Sequence, residues 1–208
     1  MNTPVVIDGL QFRWFVPPKL GETIRWGLSW NPDSPRRWAA LEPTWSCVAD
    51  VRRSSNPIVR RLTAGPDIDV VQQPSIGGVG NLQFTFNADL PIPSQIEVSG
   101  ALHLRAGTMR KNSNASQAWQ DFDADAVTSG VVRGLRLVSI VSDMQPDLRQ
   151  PHGSRWGWAS MQFVSGTEQF YELAHPPQGL RSYQLTDREW GPRREDFLVV
   201  DLETDEIA

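Results

Sequence analysis

Cysteine is nearly absent from this chain: Cys47 is the only one in 208 residues. A single thiol excludes an intramolecular disulfide framework and any zinc site built from several cysteines. Lysine is almost as scarce. Of the 20 basic residues only Lys19 and Lys111 are lysine, a skew that codon usage in a GC-rich genome explains most simply. No run approaches the roughly 18 apolar residues of a membrane helix. Residues 1–9 have neither the basic start nor the apolar stretch of a secretion signal, so a cytoplasmic location is expected. The chain has no Gly-x-Ser-x-Gly nucleophile elbow. Gly77-Gly78-Val79-Gly80 lacks the Lys-Ser/Thr ending of a phosphate-binding loop. No alternation of strands with helices supports a dinucleotide fold.

What the chain does have is a two-residue alternation that recurs along its length. Ile24, Trp26, Leu28 and Trp30 alternate with Thr23, Arg25, Gly27 and Ser29. Leu82, Phe84, Phe86, Ala88 and Leu90 alternate with Gln83, Thr85, Asn87 and Asp89. Ile96, Val98, Leu102 and Leu104 continue the pattern. Successive side chains of a strand point to opposite faces, so one face is buried and the other wet. The fold class this predicts is all-β: an antiparallel small barrel, a pair of them, or a barrel-like sandwich, with little helix.

About twelve strands are expected. Val5-Val6-Ile7, Asp8-Gly9 and Leu10 to Val16 read as a hairpin with a tight turn at Asp-Gly. Asp67–Gln73 reads as a short strand and Pro74–Gly80 as a loop. Leu82–Leu90 and Ile96–Arg105 read as a second hairpin, with Gly100 marking a sharp corner. Gly134 permits strong curvature within the strand Gly130–Asp143. Further strands are expected at Trp45–Arg53, Trp156–Val164, Gln169–Ala174, Arg181–Thr186 and Phe197–Leu202. Residues 106–129 hold Gly107, Asn112, Ser113, Asn114 and Ser116 and then three alternating aspartates, and read as a long loop. That divides the chain into an N-terminal β unit, 1–105, and a C-terminal one, 130–208, packed on it or merged into a single domain.

Charge is uneven. Residues 1–66 carry a net +4 and residues 67–208 a net −8. The acidic balance argues against a dedicated nucleic-acid binder. The candidate binding residues combine planar rings with guanidinium groups: Arg36, Arg37 and Trp38 in a loop, and Trp156 and Trp158 on one face of a strand. Four arginine pairs occur, Arg36-Arg37, Arg52-Arg53, Arg60-Arg61 and Arg193-Arg194. Neighbours on a strand face opposite ways, so at most one arginine of each pair serves one site. Trp14, Trp26 and Trp30 lie on apolar faces and read as core. Cys47 reads as an inert buried thiol. Asp121, Asp123 and Asp125 imitate a calcium loop, but Ala126 and Val132 stand where the glycine and the bidentate glutamate belong.

Gly9-Leu10-Gln11, Leu20-Gly21-Glu22-Thr23-Ile24-Arg25-Trp26 and Asp196-Phe197-Leu198-Val199-Val200-Asp201-Leu202-Glu203 resemble a group of small uncharacterised actinobacterial β proteins. The Gly-acid-x-Ile-x-Trp piece is similar to a strand of SH3-like small barrels. The resemblance covers about a fifth of the chain, and the cysteines usual in that group are missing. It implies a β-barrel fold and no catalytic or binding residues. The residues themselves call for no cofactor and no metal. They point to a non-enzymatic binding or interaction module whose partner is another protein rather than nucleic acid or a membrane. Two alternatives stand beside it. One is a hydrolase-like enzyme that brings two of Asp143, His152, Glu168, Glu172 and His175 within reach of each other in a β cleft. The other is a structural subunit whose exposed strand edges are paired by neighbours.

Overall fold

The computed structural model describes residues 1–13, 15–31, 45–55, 60–63, 69–105, 126–146, 159–182 and 191–204. These form strands β1 (Asn2–Ile7), β2 (Thr23–Ser29), β3 (Ser46–Arg53), β4 (Arg60–Thr63), β5 (Asp69–Val79), β6 (Leu82–Asp89), β7 (Gln95–Ser99), β8 (Leu102–Leu104), β9 (Val127–Pro146), β10 (Ala159–Phe163), β11 (Gln169–Glu172) and β12 (Arg193–Glu203). One helical turn, α1 (Gly9–Phe12), interrupts them. The chain is all-β, as the alternation predicts. Among the described residues no helix is long and apolar enough to cross a membrane.

The strands make one mixed sheet. β9, β12, β1, β8 and β2 pair in that order, and β2 pairs again with β9, closing a ring of five. From β2 the sheet continues as an arm, β6, β5, β3 and β7, with β4 on β5. Two contacts, β1 with β8 and β2 with β6, are parallel. β9 holds the ring together. One of its edges takes all of β12, with a register shift between Asp201 and Leu202 that leaves Arg133 without an opposite number. That bulge sits next to Gly134, where curvature is expected, because an extra residue on one strand bends the pair. The other edge is shared in sequence by β2 at 127–131, β11 at 136–139 and β10 at 142–146.

All five ring strands feed one apolar cluster. Ile7, Trp26, Leu28, Leu102, Leu104, Leu135, Leu198 and Val200 belong to it. So do Phe84, Phe86, Val98 and Ala49 of the arm. Val6, Val138, Ile140, Phe197 and Val199 form a second cluster on the opposite face of β1, β9 and β12. Burial on both faces is why Val5-Val6-Ile7 and Phe197 to Val200 are unbroken apolar runs, whereas β2 and β6 alternate.

Four local expectations are corrected. Asp8-Gly9 does not turn a hairpin: Asp8 caps α1. Its carboxylate accepts from Gln11 N at 2.7 Å, and the Gln11 side chain accepts from Asp8 N at 3.2 Å. This reciprocal box satisfies two donors that a strand start would leave open. Leu82–Leu90 does not pair with the strand that follows it, because β5 and β2 occupy its edges. β7 pairs with β3 instead. Alternation specifies faces, not neighbours. Gly100, with φ +87°, then turns the chain from the arm into the ring at β8. Pro74 and Gly77-Gly78 lie inside β5 rather than in a loop. Pro74 falls where the partner changes from β4 to β3, so its missing N–H breaks no ladder there. The true hairpin is β5–β6, turned at Gly80 and Asn81 with Gly80 at φ +54°. Arg181 and Ser182 lie outside any strand, and the rest of Arg181–Thr186 lies outside the described residues.

Gly77 is directly opposite the fully buried Phe84, and a Cβ at Gly77 would overlap that ring. Gly77→Ala is expected to destabilise by about 1–3 kcal/mol. In urea unfolding the cost should shrink when Phe84→Leu is present, which a double-mutant cycle reads directly.

Candidate functional site

Arg36, Arg37, Trp38, Trp156 and Trp158 lie outside the described residues, as do Trp14, His152 and the Asp121–Asp125 stretch. Trp26 is buried in the main cluster, and Trp30 packs against it while donating Nε1–H to Ser99 O at 3.2 Å. Cys47 is half-buried, and burial pushes its thiol upward, away from the thiolate form. Glu172 is opposite Arg136, whereas Asp143 stands seven positions further along the same strand. At about 3.3 Å per residue that is roughly 23 Å, too far for a carboxylate pair. Among the described residues no three His, Cys, Asp or Glu side chains form a group able to hold a metal.

The register of β9 and β12 builds a different site. Ser139 stands opposite Asp196, and Arg194 lies two residues before Asp196 on the same face. The segment before β12 adds Arg181, whose main chain docks on Asp196: Asp196 N donates to Arg181 O at 2.9 Å. Arg181 then grips the Asp196 carboxylate as a fork, Nε to Oδ2 and Nη2 to Oδ1, both at 2.8 Å. Its backbone N–H adds a third donor to Oδ2 at 3.1 Å. Ser139 Oγ accepts from Arg181 Nη2 at 2.9 Å. Arg194 crosses β9 from the other side. Its Nη1 donates to Ser139 O at 3.2 Å and to Thr167 O at 3.1 Å, just before β11.

The electrostatics follow from burial. The Asp196 side chain is 8% exposed, against 60% for Arg181. Desolvation pushes the Asp196 carboxyl up, but it is outweighed by the hydrogen bonds from Arg181, Ser139 and the Arg181 backbone and by the Arg181 charge, so the net shift is downward. Arg181 is raised in turn, chiefly by its bond to Asp196. Tyr171 of β11 lies close enough to Arg181 to add to that effect.

β11 itself is exposed at every position. Phe170 and Tyr171, neighbours on the strand and so on opposite faces, are 46% and 48% exposed. Among the described residues β11 pairs only with β9, which leaves its outer edge without a strand.

Of the site's members, only Arg194 stands out in the sequence, as one half of an arginine pair that must face opposite ways. Ser139 and Arg181 carry no motif, and Asp196 stands only in a segment of resemblance that assigns it no role; strand register sets Ser139 against Asp196, and Arg181 docks on Asp196 through the main chain. No protein-family model, no curated protein and no solved structure matches the chain.

Asp196 has a depressed folded-state pKa, so its contribution to stability is full above the ordinary Asp value of about 3.9 and is lost as pH falls through the depressed value. Asp196→Asn is expected to cost about 1–3 kcal/mol at pH 7. Urea titrations at successive pH values should show the gap from the native chain narrowing in acid.

Proposed function

We propose that this protein is a non-enzymatic binding module that docks another protein along β11. The observation carrying this reading is a short strand whose two faces each hold an aromatic ring in solvent, beside an edge with no strand partner among the described residues. Folding alone favours polar side chains at such positions. Protective edges use charge, proline or a cover, and β11 instead presents Phe170 and Tyr171. A partner strand added to this edge gains main-chain hydrogen bonds, while the rings on either face supply apolar contact. Val164, exposed just beyond β10, extends the apolar surface. The carboxylates of Asp196, Asp201 and Glu203 are each engaged by an arginine of the chain itself, which suits a structural scaffold better than a hydrolytic centre.

A photoreactive aromatic at position 170 should cross-link one protein in a lysate of the source organism, at fixed stoichiometry. The same probe at Val48 of β3, which is more exposed than Phe170, should not. Phe170→Ser with Tyr171→Ser should abolish capture and change stability by less than about 0.5 kcal/mol. Identical cross-linking at 48 and 170 would remove β11 as the docking strand.

A further inference from the structure

Two guanidinium groups and one carboxylate meet beside β11, and the imbalance rests on Arg194. Both Asp196 oxygens are engaged by Arg181. Among the described residues Arg194 takes part in no ion pair and uses only Nη1, on the carbonyls of Ser139 and Thr167 and, at 3.5 Å, on Ser139 Oγ. Among the described residues its Nε and Nη2 carry no hydrogen bond, and neither is a buried unpaired atom, so both open away from the described core. The residue is half-buried, and the two hydrogens of Nη1 are taken by the carbonyls of Ser139 and Thr167. A partly desolvated guanidinium is held in place with its side edge unused.

That edge has a definite complement. Nε–H and Nη2–H are parallel donors spaced to match the two oxygens of one carboxylate. We propose that the Nε/Nη2 edge of Arg194 is a carboxylate-binding site. The assignment of that carboxylate to a docked polypeptide rests on the β11 reading above. The sheet order β12, β9, β11 places a partner strand one spacing beyond β11. Arg194 already spans β9 to reach Thr167 at the start of β11. A further strand lies only about 4.8 Å out, within reach of an acidic side chain on the Tyr171 face. The partner segment is therefore extended and carries an acid, in its side chains or at its C-terminus.

The test uses the full chain and no partner. The Arg194 Nε–H resonance is followed by NMR at low ionic strength while N-acetylglutamate amide, which offers a side-chain carboxylate, is added. N-acetylglycine, which offers a terminal one, is added to a second sample. A saturable shift within about 100 mM of either probe, larger than with sodium chloride of equal ionic strength, is the expected result, and the tighter probe identifies the source. In Arg194→Lys the accompanying shift of the Thr167 amide should disappear, while in Phe170→Ser it should persist. A shift no larger than that with sodium chloride, or a Thr167 shift surviving Arg194→Lys, overturns the proposal. Failure here leaves the cross-link at position 170 intact. Loss of that cross-link with a saturable titration removes the protein partner and keeps the carboxylate site.

Discussion

The ladder between β9 and β12 is the constraint on which the rest of the structure depends. Every residue of β12 is in register with β9. β1 lies along the far edge of β12, and β2 closes on the near end of β9. Removing this pairing opens the ring and uncovers both apolar clusters at once, because Leu135 and Leu198 face one of them and Val138 and Phe197 the other. From Glu195 to Val200 β12 is buried on both faces, and that stretch has no wet side to tolerate slippage. A shift of one residue would exchange the two clusters and move Asp196 off the Ser139 face.

The same ladder ends in polar chemistry. Towards Leu202 its outer face carries ion pairs, Arg136 with Asp201 and Arg133 with Glu203, around the bulge that bends β9. The Arg133 pair is well exposed and contributes little. Towards Arg193 the pattern differs. Glu195 is buried and accepts from Ser142 Oγ on one face, while Asp196 binds Arg181 on the other. Consecutive acids in a strand thus serve separate environments. Arg181 is neutralised by Asp196, whereas Arg194 binds only neutral oxygens of Ser139 and Thr167 where the chain enters β11. The aromatic strand and the Arg194 guanidinium adjoin because Thr167, whose carbonyl holds Arg194, lies two residues before β11.

Much of the fold is legible residue by residue. Ile24, Trp26 and Leu28, and Leu82, Phe84 and Phe86, are buried as their alternation requires. Gly100 and Gly134 mark a corner and a bulge as expected. Asp8 and Gln11 also held a readable signal, since an acid followed three residues later by glutamine is the pattern of a capping box. Asp-Gly favours a tight turn as well, and only contact with the rest of the molecule separates the two: Gln11 also donates to Leu104 O at 2.9 Å. The candidate site was far less legible. Ser139, Thr167, Arg181, Arg194 and Asp196 are ordinary surface residue types with no fixed spacing, and they converge only through the pairing of β9 with β11 and β12.

The sequence by itself determined which residues face inward and where the chain must bend, because side-chain period and glycine are local properties of the backbone. It could not determine which strand lies beside which. The edges of a strand are identical rows of N–H and C=O groups, and any strand of matching length satisfies them. Neighbour choice was decided by how the apolar faces could all be buried together, and so β6 turned to β5 and β2 rather than to the strand that follows it. The site was decided at that same level, since a carboxylate, a hydroxyl and two guanidiniums drawn from three separate segments acquire a common function only when tertiary pairing sets them against one another.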